Sequence, residues 1–184
     1  LPTNGLPELV GQLKDLQRDV HCPPESTWDK SDLCITAGSQ DGLCKALEML
    51  MERGSTVIVE DYVYPGTLAI MNPYHPNYIT VASDDYGMIP EKLRETLVEN
   101  WTPVTIKFKS DAPKFLYINA TGSNPSGTTL SLERRRVIYD ICSEFNLLIL
   151  EDDPYFYLQF GKCRIPSFFS MDRDGRVIRY GYIP

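Results

Sequence analysis

Apolar residues follow a helical spacing in four stretches of the chain. Residues 7–20 repeat leucine and valine on one face, and a second stretch after Gln40 aligns Leu43 with Leu47 and ends near Gly54. Pro90 stands at the first position of a third stretch, residues 91–98. The fourth, residues 132–145, places its apolar side chains inward and its arginines outward. The pattern predicts four helices.

Short continuous apolar runs separate these helices. Strands are predicted over residues 32–36, 56–60, 78–81, 114–119, 147–152 and 176–179. Residues 100–113 show no clear period and are expected to form a connecting loop. Strands that alternate with helices are typical of βαβ units and therefore of a mostly parallel sheet. We predict a three-layer α/β fold with helices on both faces of the sheet, in one domain over residues 1–184.

Composition and charge narrow the function. The 184 residues carry a net charge of -7 and a sequence pI near 4.8, which disfavours nucleic acid as a partner. No apolar run reaches the length of about 18 residues that a membrane helix needs, so no membrane partner is expected. The five cysteines are odd in number and scattered, which fits a reducing compartment, and Cys34, Cys44 and Cys142 are expected to be small core residues.

Two loops that follow predicted strands are rich in binding chemistry. Ser39 and Gln40 begin a helix, where free backbone N–H groups can hold a phosphate, although Ser39 as a simple N-cap is an alternative. Tyr62 and Tyr64 follow the strand at residues 56–60, where an aromatic side chain either stacks on a flat ligand or packs on the core.

Two further loops carry polar residues that suit the same ligand. In "YINATGSNPSG", Asn124 either offers an amide donor to a ligand oxygen or caps a turn. Asp152 and its acidic neighbours end a buried strand with no lysine or arginine beside them, so a ligand cation is an option. Together the four loops predict a flat ring that carries a phosphate, an oxygen and a cation. Pyridoxal 5'-phosphate satisfies all four conditions.

The motifs "GSQDGLCK", "SNPSG" and "EDDPYFYLQF" resemble the fold-type I aminotransferases, most closely the 2-aminoadipate and kynurenine aminotransferases. The resemblance covers nearly the whole chain and implies the cofactor-binding large domain of that fold. It implies that Ser39 and Gln40 bind the phosphate of pyridoxal phosphate and that Tyr64 lies over the ring.

The resemblance assigns roles at the other side of the ring as well. It implies that Asn124 binds the phenolic oxygen and, with Tyr64, the substrate. Asp152 is expected to face the pyridine nitrogen, and Tyr155 to reach the phenolic oxygen. No metal site is predicted.

The family's Schiff-base lysine has no counterpart in this sequence. The resemblance places that lysine after the strand at residues 176–179, where the chain reads Tyr-Gly-Tyr-Ile-Pro. Lys109, Lys114 and Lys162 lack the surrounding motif and are interpreted as surface residues. We therefore expect no catalytic residue in this chain and expect it to be inactive alone. It is interpreted as a central fragment without the N-terminal segment and the C-terminal small domain.

Two functional hypotheses follow. In the first, the parent protein transfers an amino group from 2-aminoadipate, kynurenine or a similar amino acid to a 2-oxo acid, as a homodimer. In the second, the chain is a non-catalytic truncated product that keeps the fold and acts, if at all, by binding a partner subunit. The chain does not begin with methionine, so a targeting peptide is expected to have been lost, and both the cytoplasm and the mitochondrial matrix stay open.

Overall fold

A parallel sheet forms the centre of the molecule. The computed structural model describes residues 2–106 and 111–181, and within them five parallel strands run in the order β2-β1-β5-β6-β7. A separate hairpin pairs two short strands, β3 and β4. The strands are β1 Thr56–Glu60, β2 Asn77–Val81, β3 Ser83–Asp84, β4 Gly87–Met88, β5 Phe115–Ile118, β6 Leu148–Asp153 and β7 Val177–Gly181.

Six α-helices connect and cover these strands in the described part of the chain. They are α1 Pro7–His21, α2 Glu25–Trp28, α3 Ser39–Leu50, α4 Pro65–Met71, α5 Pro90–Asn100 and α6 Leu132–Glu144. The four predicted helices are confirmed as α1, α3, α5 and α6, because their apolar residues repeat at helical spacing. The helices α2 and α4 have four and seven residues, which is too short for a clear period.

Each face of the sheet carries its own apolar core. On one face, residues of α5 and α6 pack against β-strand side chains such as Ile58, Leu116 and Ile149. On the other face, residues of α3 and α4 pack against Val57 and Leu150. The two clusters confirm the predicted three-layer α/β fold. They also explain the uniformly buried strands β1 and β5, which are covered on both sides.

The strand order reverses next to β1. From β1 the chain moves outward to β2, then returns to place β5 on the opposite side of β1, and continues outward through β6 and β7. In such a sheet, the loops at the carboxyl ends of β1 and β5 diverge and leave a crevice between them. The fold therefore directs ligand binding to the ends of β1, β5 and β6.

One predicted strand is wrong. Residues 32–36 form no strand. They contact Asn4 instead, through the bond from the Ile35 N–H to the Asn4 carbonyl at 2.9 Å and the bond from Asn4 Nδ2 to the Leu33 carbonyl at 3.3 Å. Cys34 is exposed there instead of buried, whereas Cys142 is buried as expected. Ile35 lies close to Gly5, where a Cβ atom would be 2.7 Å from Ile35 Cδ1 and 3.1 Å from Cγ2 of Val10 in α1.

Several other predictions are revised. The helix after Gln40 ends at Leu50, so Gly54 lies in the following turn and does not end the helix. Arg135 points inward and is fully buried, contrary to the expectation that all arginines of α6 face outward. Part of the predicted loop at residues 100–113 falls outside the described residues. None of the described helices is long and apolar enough to cross a membrane.

Candidate functional site

A polar cavity of about 160 Å³ opens at the carboxyl ends of β1, β5 and β6. All six residues predicted to bind a cofactor line it: Ser39, Gln40, Tyr64, Asn124, Asp152 and Tyr155. The cavity also contacts three residues that had no predicted role: Leu43, Asn119 and Pro154. The structure thus brings together loops that are far apart in sequence, at the place where the strand order reverses.

The amino end of α3 forms one wall of the cavity. Gly38, not Ser39, is the N-cap, and no side chain caps the helix there. Ser39 is the first helical residue, so the interpretation of Ser39 as a simple N-cap is wrong. Gln40 donates from Nε2 to the Gly66 carbonyl at 3.1 Å, which ties α3 to the loop after β1. The helix end presents unpaired N–H groups and a positive dipole, which suits an anion.

Tyr64 reaches the cavity because Gly66 leaves room for its ring. Tyr64 precedes α4, and a Cβ atom at Gly66 would lie 2.3 Å from Tyr64 Cε1. Of the two candidate tyrosines, Tyr64 lines the cavity, while Tyr62 lies on the neighbouring surface groove. The exposed Tyr64 ring therefore offers a flat aromatic face to the cavity instead of packing in the core.

The loop that carries Asn124 is closed at its base. The Leu130 N–H donates to the Ala120 carbonyl at 3.0 Å, and the Ser123 N–H donates to the Thr128 carbonyl at 2.8 Å. The Asn124–Pro125 peptide bond is cis. Asn124 is half-buried, and its side-chain amide makes no hydrogen bond to another described residue. Its donor and acceptor are therefore available to a ligand.

Arg135 stabilises the base of this loop from below. Its guanidinium donates to the Leu130 carbonyl at 3.1 Å, the Ala120 carbonyl at 2.9 Å and Thr121 Oγ1 at 3.1 Å. A fourth bond, to the Pro166 carbonyl at 3.1 Å, links the loop to the segment after β6. One buried cation thus holds both ends of the loop that presents Asn124.

The three acidic residues at the end of β6 separate onto opposite faces of the sheet. Glu151 and Asp153 face away from the cavity, where Arg179 lies 3.9 Å and 3.2 Å from their carboxylates. Asp152 alone faces the cavity, as the alternation of side chains along a strand requires. Burial raises the pKa of Asp152, and the hydrogen bond from Tyr117 opposes that shift.

Asp152 has no cationic partner among the described residues. Its Oδ2 accepts a hydrogen bond from Tyr117 Oη at 2.6 Å, and only 7 % of the residue is exposed. A buried carboxylate without a positive partner is costly, so the site favours a ligand that brings a cation or a donor to Asp152.

Tyr155 closes the opposite side of the cavity. It lies two residues after the end of β6. Its Cβ is 3.7 Å from the position that a Cβ of Gly122 would occupy, so the Asn124 loop and Tyr155 pack closely. The Tyr155 hydroxyl makes no hydrogen bond within the described residues. Tyr155 and Asn124 thus present two free polar groups to one cavity.

Asn119 is a site residue that sequence reasoning missed. It directly follows β5 and lines the cavity, and its Oδ1 is buried without a hydrogen-bond partner among the described residues. An unpaired buried acceptor is costly and fits a site that a polar ligand completes. A polar residue directly after the apolar run Phe-Leu-Tyr-Ile was the available sequence signal. The uncapped amino end of α3, the buried Asp152 carboxylate and the unpaired Asn119 oxygen thus line one cavity.

No lysine of the described residues lines this cavity. Lys114 forms an exposed ion pair with Glu52 at 3.1 Å, and Lys162 is exposed. Lys109 lies outside the described part of the chain. So do residues 182–184, which belong to the region where the resemblance places the family's lysine. The described residues also contain no group of three or more side chains able to hold a metal ion.

The fold and the cavity define a member of the class I and II aminotransferases. The profile of the family described as "Aminotransferase class I and II" matches residues 1–181, so the chain belongs to this family.

Among its relatives, the mitochondrial kynurenine/alpha-aminoadipate aminotransferase of Bos taurus is 47% identical over 180 residues, which are 95% of this chain and 42% of the relative. The chain therefore spans about two fifths of the length of the relatives it matches.

Solved structures of aminotransferases share the fold of this chain. The kynurenine aminotransferase of Pyrococcus horikoshii, solved in complex with PMP, kynurenine and its product, superposes with a TM-score of 0.86 at 30% identity. That match covers 98% of this chain and 42% of the other. The multiple substrate aminotransferase of Thermococcus profundus superposes with a TM-score of 0.87 at 28% identity. That match covers 99% of this chain and 43% of the other.

Proposed function

We propose that this chain forms the cofactor-binding part of an aminotransferase that uses pyridoxal 5'-phosphate. The observation that carries the proposal is the convergence of six predicted residues on one cavity. Three kinds of polar group meet there: a free helix amino end, a buried carboxylate, and amide and phenol groups. These groups complement the phosphate, the ring nitrogen and the phenolic oxygen of the cofactor.

The amino end of α3 holds the phosphate in this proposal. The backbone N–H groups of Ser39 and Gln40 point out of the helix, and the Ser39 hydroxyl adds a further donor. Gln40 is already tied to the Gly66 carbonyl, so the helix end and the Tyr64 loop are fixed relative to each other. This wall is organised before any ligand binds.

Asp152 faces the ring nitrogen and keeps it protonated. When bound, the cofactor supplies an electron sink for the electron pair left when an amino acid loses its α-proton. An ionised carboxylate against the ring nitrogen strengthens that sink because it stabilises the positive charge there. The absence of a cationic partner for Asp152 among the described residues supports this role.

Asn124, Tyr155 and Tyr64 orient the ring and the substrate. The Asn124 amide and the Tyr155 hydroxyl donate to the phenolic oxygen and favour its anionic form. Tyr64 stacks over the ring, and Tyr64 and Asn124 also contact the substrate. Each of these side chains lines the cavity and lacks a competing partner there.

The names of the relatives suggest the substrates of the longer protein to which this chain would belong. Because the Bos taurus relative is named for kynurenine and alpha-aminoadipate, we infer that the amino donor is one of these or a similar amino acid. The acceptor is a 2-oxo acid, and the working form is a homodimer that completes the site with a second subunit. That relative is also named as mitochondrial, which favours the mitochondrial matrix over the cytoplasm.

Binding of pyridoxamine 5'-phosphate to the purified chain tests the cofactor site, because this ligand needs no covalent link to the protein. Isothermal titration calorimetry should show saturable binding. Asp152→Asn should weaken it by roughly tenfold or more, since a charge-assisted contact is lost. In a longer protein that contains this chain, Asp152→Ala should nearly abolish transamination.

Two controls define failure. Asp140→Asn removes an exposed carboxylate paired with Arg173 at 2.6 Å and should leave affinity unchanged. Pyridoxamine without the phosphate should bind more weakly if α3 holds that group. The proposal is wrong if the chain shows no saturable binding at millimolar pyridoxamine 5'-phosphate. It is also wrong if Asp152→Asn binds this ligand with the same affinity as the unmodified chain.

The non-catalytic hypothesis has one supporting observation, namely that no described lysine lines the cavity. Under this hypothesis, the chain keeps the fold and acts, if at all, by binding a partner subunit. The transcript or genomic sequence downstream of Arg179 separates the two hypotheses. A serine-rich loop with a lysine in frame would favour the parent aminotransferase, whereas a stop codon in an abundant transcript would favour the non-catalytic product.

A further inference from the structure

Two buried hydroxyl groups stand behind Asp152 and away from the cavity. Thr67 Oγ1 donates to Tyr117 Oη at 2.9 Å, and Tyr117 Oη donates to Asp152 Oδ2 at 2.6 Å. Thr67 is fully buried and Tyr117 is 3 % exposed, so bulk water does not reach either group. The row connects α4, β5 and β6.

The row has a direction. Since Thr67 donates to the tyrosine oxygen, the single hydroxyl hydrogen of Tyr117 is free to point at Asp152. A hydrogen bond to an ionised carboxylate is stronger than one between neutral groups. The bond from Tyr117 occupies Oδ2, which leaves Oδ1 of Asp152 without a donor among the described residues.

The groups around Asp152 leave Tyr117 as its stabilising contact. Three titratable groups act on the Asp152 carboxyl: Tyr117 on β5, Tyr180 on β7, and Asp153, whose charge acts from the opposite face of β6. Burial and Asp153 raise the pKa of Asp152, while the Tyr117 hydrogen bond lowers it. The Tyr180 hydroxyl is buried and makes no hydrogen bond within the described chain, so it does not share this role.

We propose that Tyr117, oriented by Thr67, is a positioning residue that holds Asp152 ionised and aimed at the ring nitrogen of the bound cofactor. The inference rests on the proposed function. It differs from a packing role because it concerns one hydroxyl group. Tyr117→Phe keeps the ring in the core and removes the donor to Asp152, together with the acceptor for the Thr67 hydroxyl.

The first measurement needs no ligand. Aspartate labelled with ¹³C at the carboxyl carbon reports the titration of Asp152 by NMR, with Asp152→Asn to assign the signal. In Tyr117→Phe the pKa of Asp152 should rise further, because burial is then unopposed. In Thr67→Val the rise should be smaller, because Tyr117 is still present but no longer oriented, and Thr67→Ser should match the unmodified chain.

The second measurement uses pyridoxamine 5'-phosphate. In Tyr117→Phe, affinity should fall roughly tenfold, as expected for the loss of a hydrogen bond to a charged group. The absorption of the bound ring at neutral pH should also shift from the protonated to the unprotonated pyridine form. The proton then resides on Asp152 instead of on the ring nitrogen.

The chain offers a matched control. Tyr139 is a second buried tyrosine, and its hydroxyl donates to Asp172 Oδ1 at 2.9 Å, away from the cavity. Tyr139→Phe should leave the ring absorption and the affinity unchanged. If Tyr117→Phe unfolds the chain, Thr67→Val tests the same row without changing the aromatic core.

The outcomes separate two failures. An unchanged Asp152 titration and unchanged ring absorption in Tyr117→Phe would overturn this inference while cofactor binding stands. Equal losses in Tyr139→Phe would also overturn it, because they would show general loosening. If the unmodified chain binds no pyridoxamine 5'-phosphate, the proposed function fails and the role of Tyr117 toward the ring fails with it.

Discussion

Single buried acids in this chain differ according to their partners. Glu151 and Asp153 have Arg179 nearby, Asp152 has only a tyrosine, and Glu60 has backbone contacts. The sequence "EDDPYFYLQF" predicted that a carboxylate at this strand end would need a cation, and the fold shows which of the three acids is left without one. Pattern alone could not separate them, because the choice depends on strand β7 and its Arg179.

Glu60 gives a prediction at this scale. It is buried at the end of β1 and accepts from the Met88 N–H at 3.0 Å, and burial raises its pKa to about 7. The folded chain therefore holds a proton between about pH 4.5 and 7 that the unfolded chain loses, so Glu60 reduces stability as pH rises through that window.

Glu60→Gln should remove this penalty. The unfolding free energy of the variant, measured by urea at pH 4.5 and pH 7.5, should gain on the order of 3 kcal/mol over the unmodified chain between these values. The exposed Glu99→Gln serves as the control. A difference between variant and unmodified chain that does not change with pH would show that Glu60 is not protonated in the fold.

At the scale of elements, the sequence predicts long helices and strands with a regular burial pattern correctly, whereas it does not predict short isolated segments. Helices α1, α3, α5 and α6 and the strands of the main sheet agree with prediction because many residues of each share one burial pattern. The segment at residues 32–36 has the apolar residues of a strand but no strand neighbour. Helix α4 lies within the tyrosine-rich loop and was missed, although it carries Thr67, the start of the hydroxyl row.

Arg135 shows why α6 was only partly predictable. Helical spacing placed it among outward arginines, yet its bonds to the Ala120, Leu130 and Pro166 carbonyls bury it. Those acceptors belong to irregular loops, whose course no periodic pattern specifies. A side chain whose partners are loop carbonyls is therefore visible only in the folded structure.

Arg135→Ala should destabilise the chain by on the order of 3 kcal/mol, because several buried carbonyl groups lose their donor at once. Amide exchange at Leu130, whose N–H bonds to the Ala120 carbonyl, should accelerate as the base of the Asn124 loop opens. Arg136→Ala, at the exposed neighbouring position, should stay within about 0.5 kcal/mol of the unmodified chain. Equal exchange rates at Leu130 in both variants would contradict the role given to Arg135.

At the scale of the whole molecule, His21 joins the first helix to the far end of the chain. It ends α1, its Nδ1 lies 2.7 Å from Ser167 Oγ, and its ring centroid is 4.5 Å from that of Phe156. These contacts are not predictable from the residues around His21, because Ser167 lies 146 residues further along the chain. Burial, with Arg179 and Arg164 nearby, lowers the pKa of His21 to about 3.

Acid should therefore unfold the chain partly through His21. Below about pH 6.5 His21 is protonated in the unfolded chain, whereas in the folded chain it stays neutral until about pH 3. The free energy of unfolding therefore decreases as the pH falls through this range. The His21 contribution to this loss between pH 7 and pH 4, measured in urea unfolding as the difference between the unmodified chain and His21→Gln, should amount to about 3 kcal/mol. His21→Gln should flatten the curve, whereas the exposed His75→Gln should not. A parallel decline in the His21 variant would refute the assignment.

The reversal of strand order beside β1 has a consequence for how the molecule folds. The walls of the cavity come from segments as distant as Ser39 and Tyr155, and they meet only after β1, β5 and β6 have paired through non-local contacts. Such pairings form late, because closing long loops costs entropy before contacts repay it. A ligand of this cavity therefore recognises only completely folded molecules and shifts the folding equilibrium by mass action, by about 2.7 kcal/mol at a hundred times its dissociation constant.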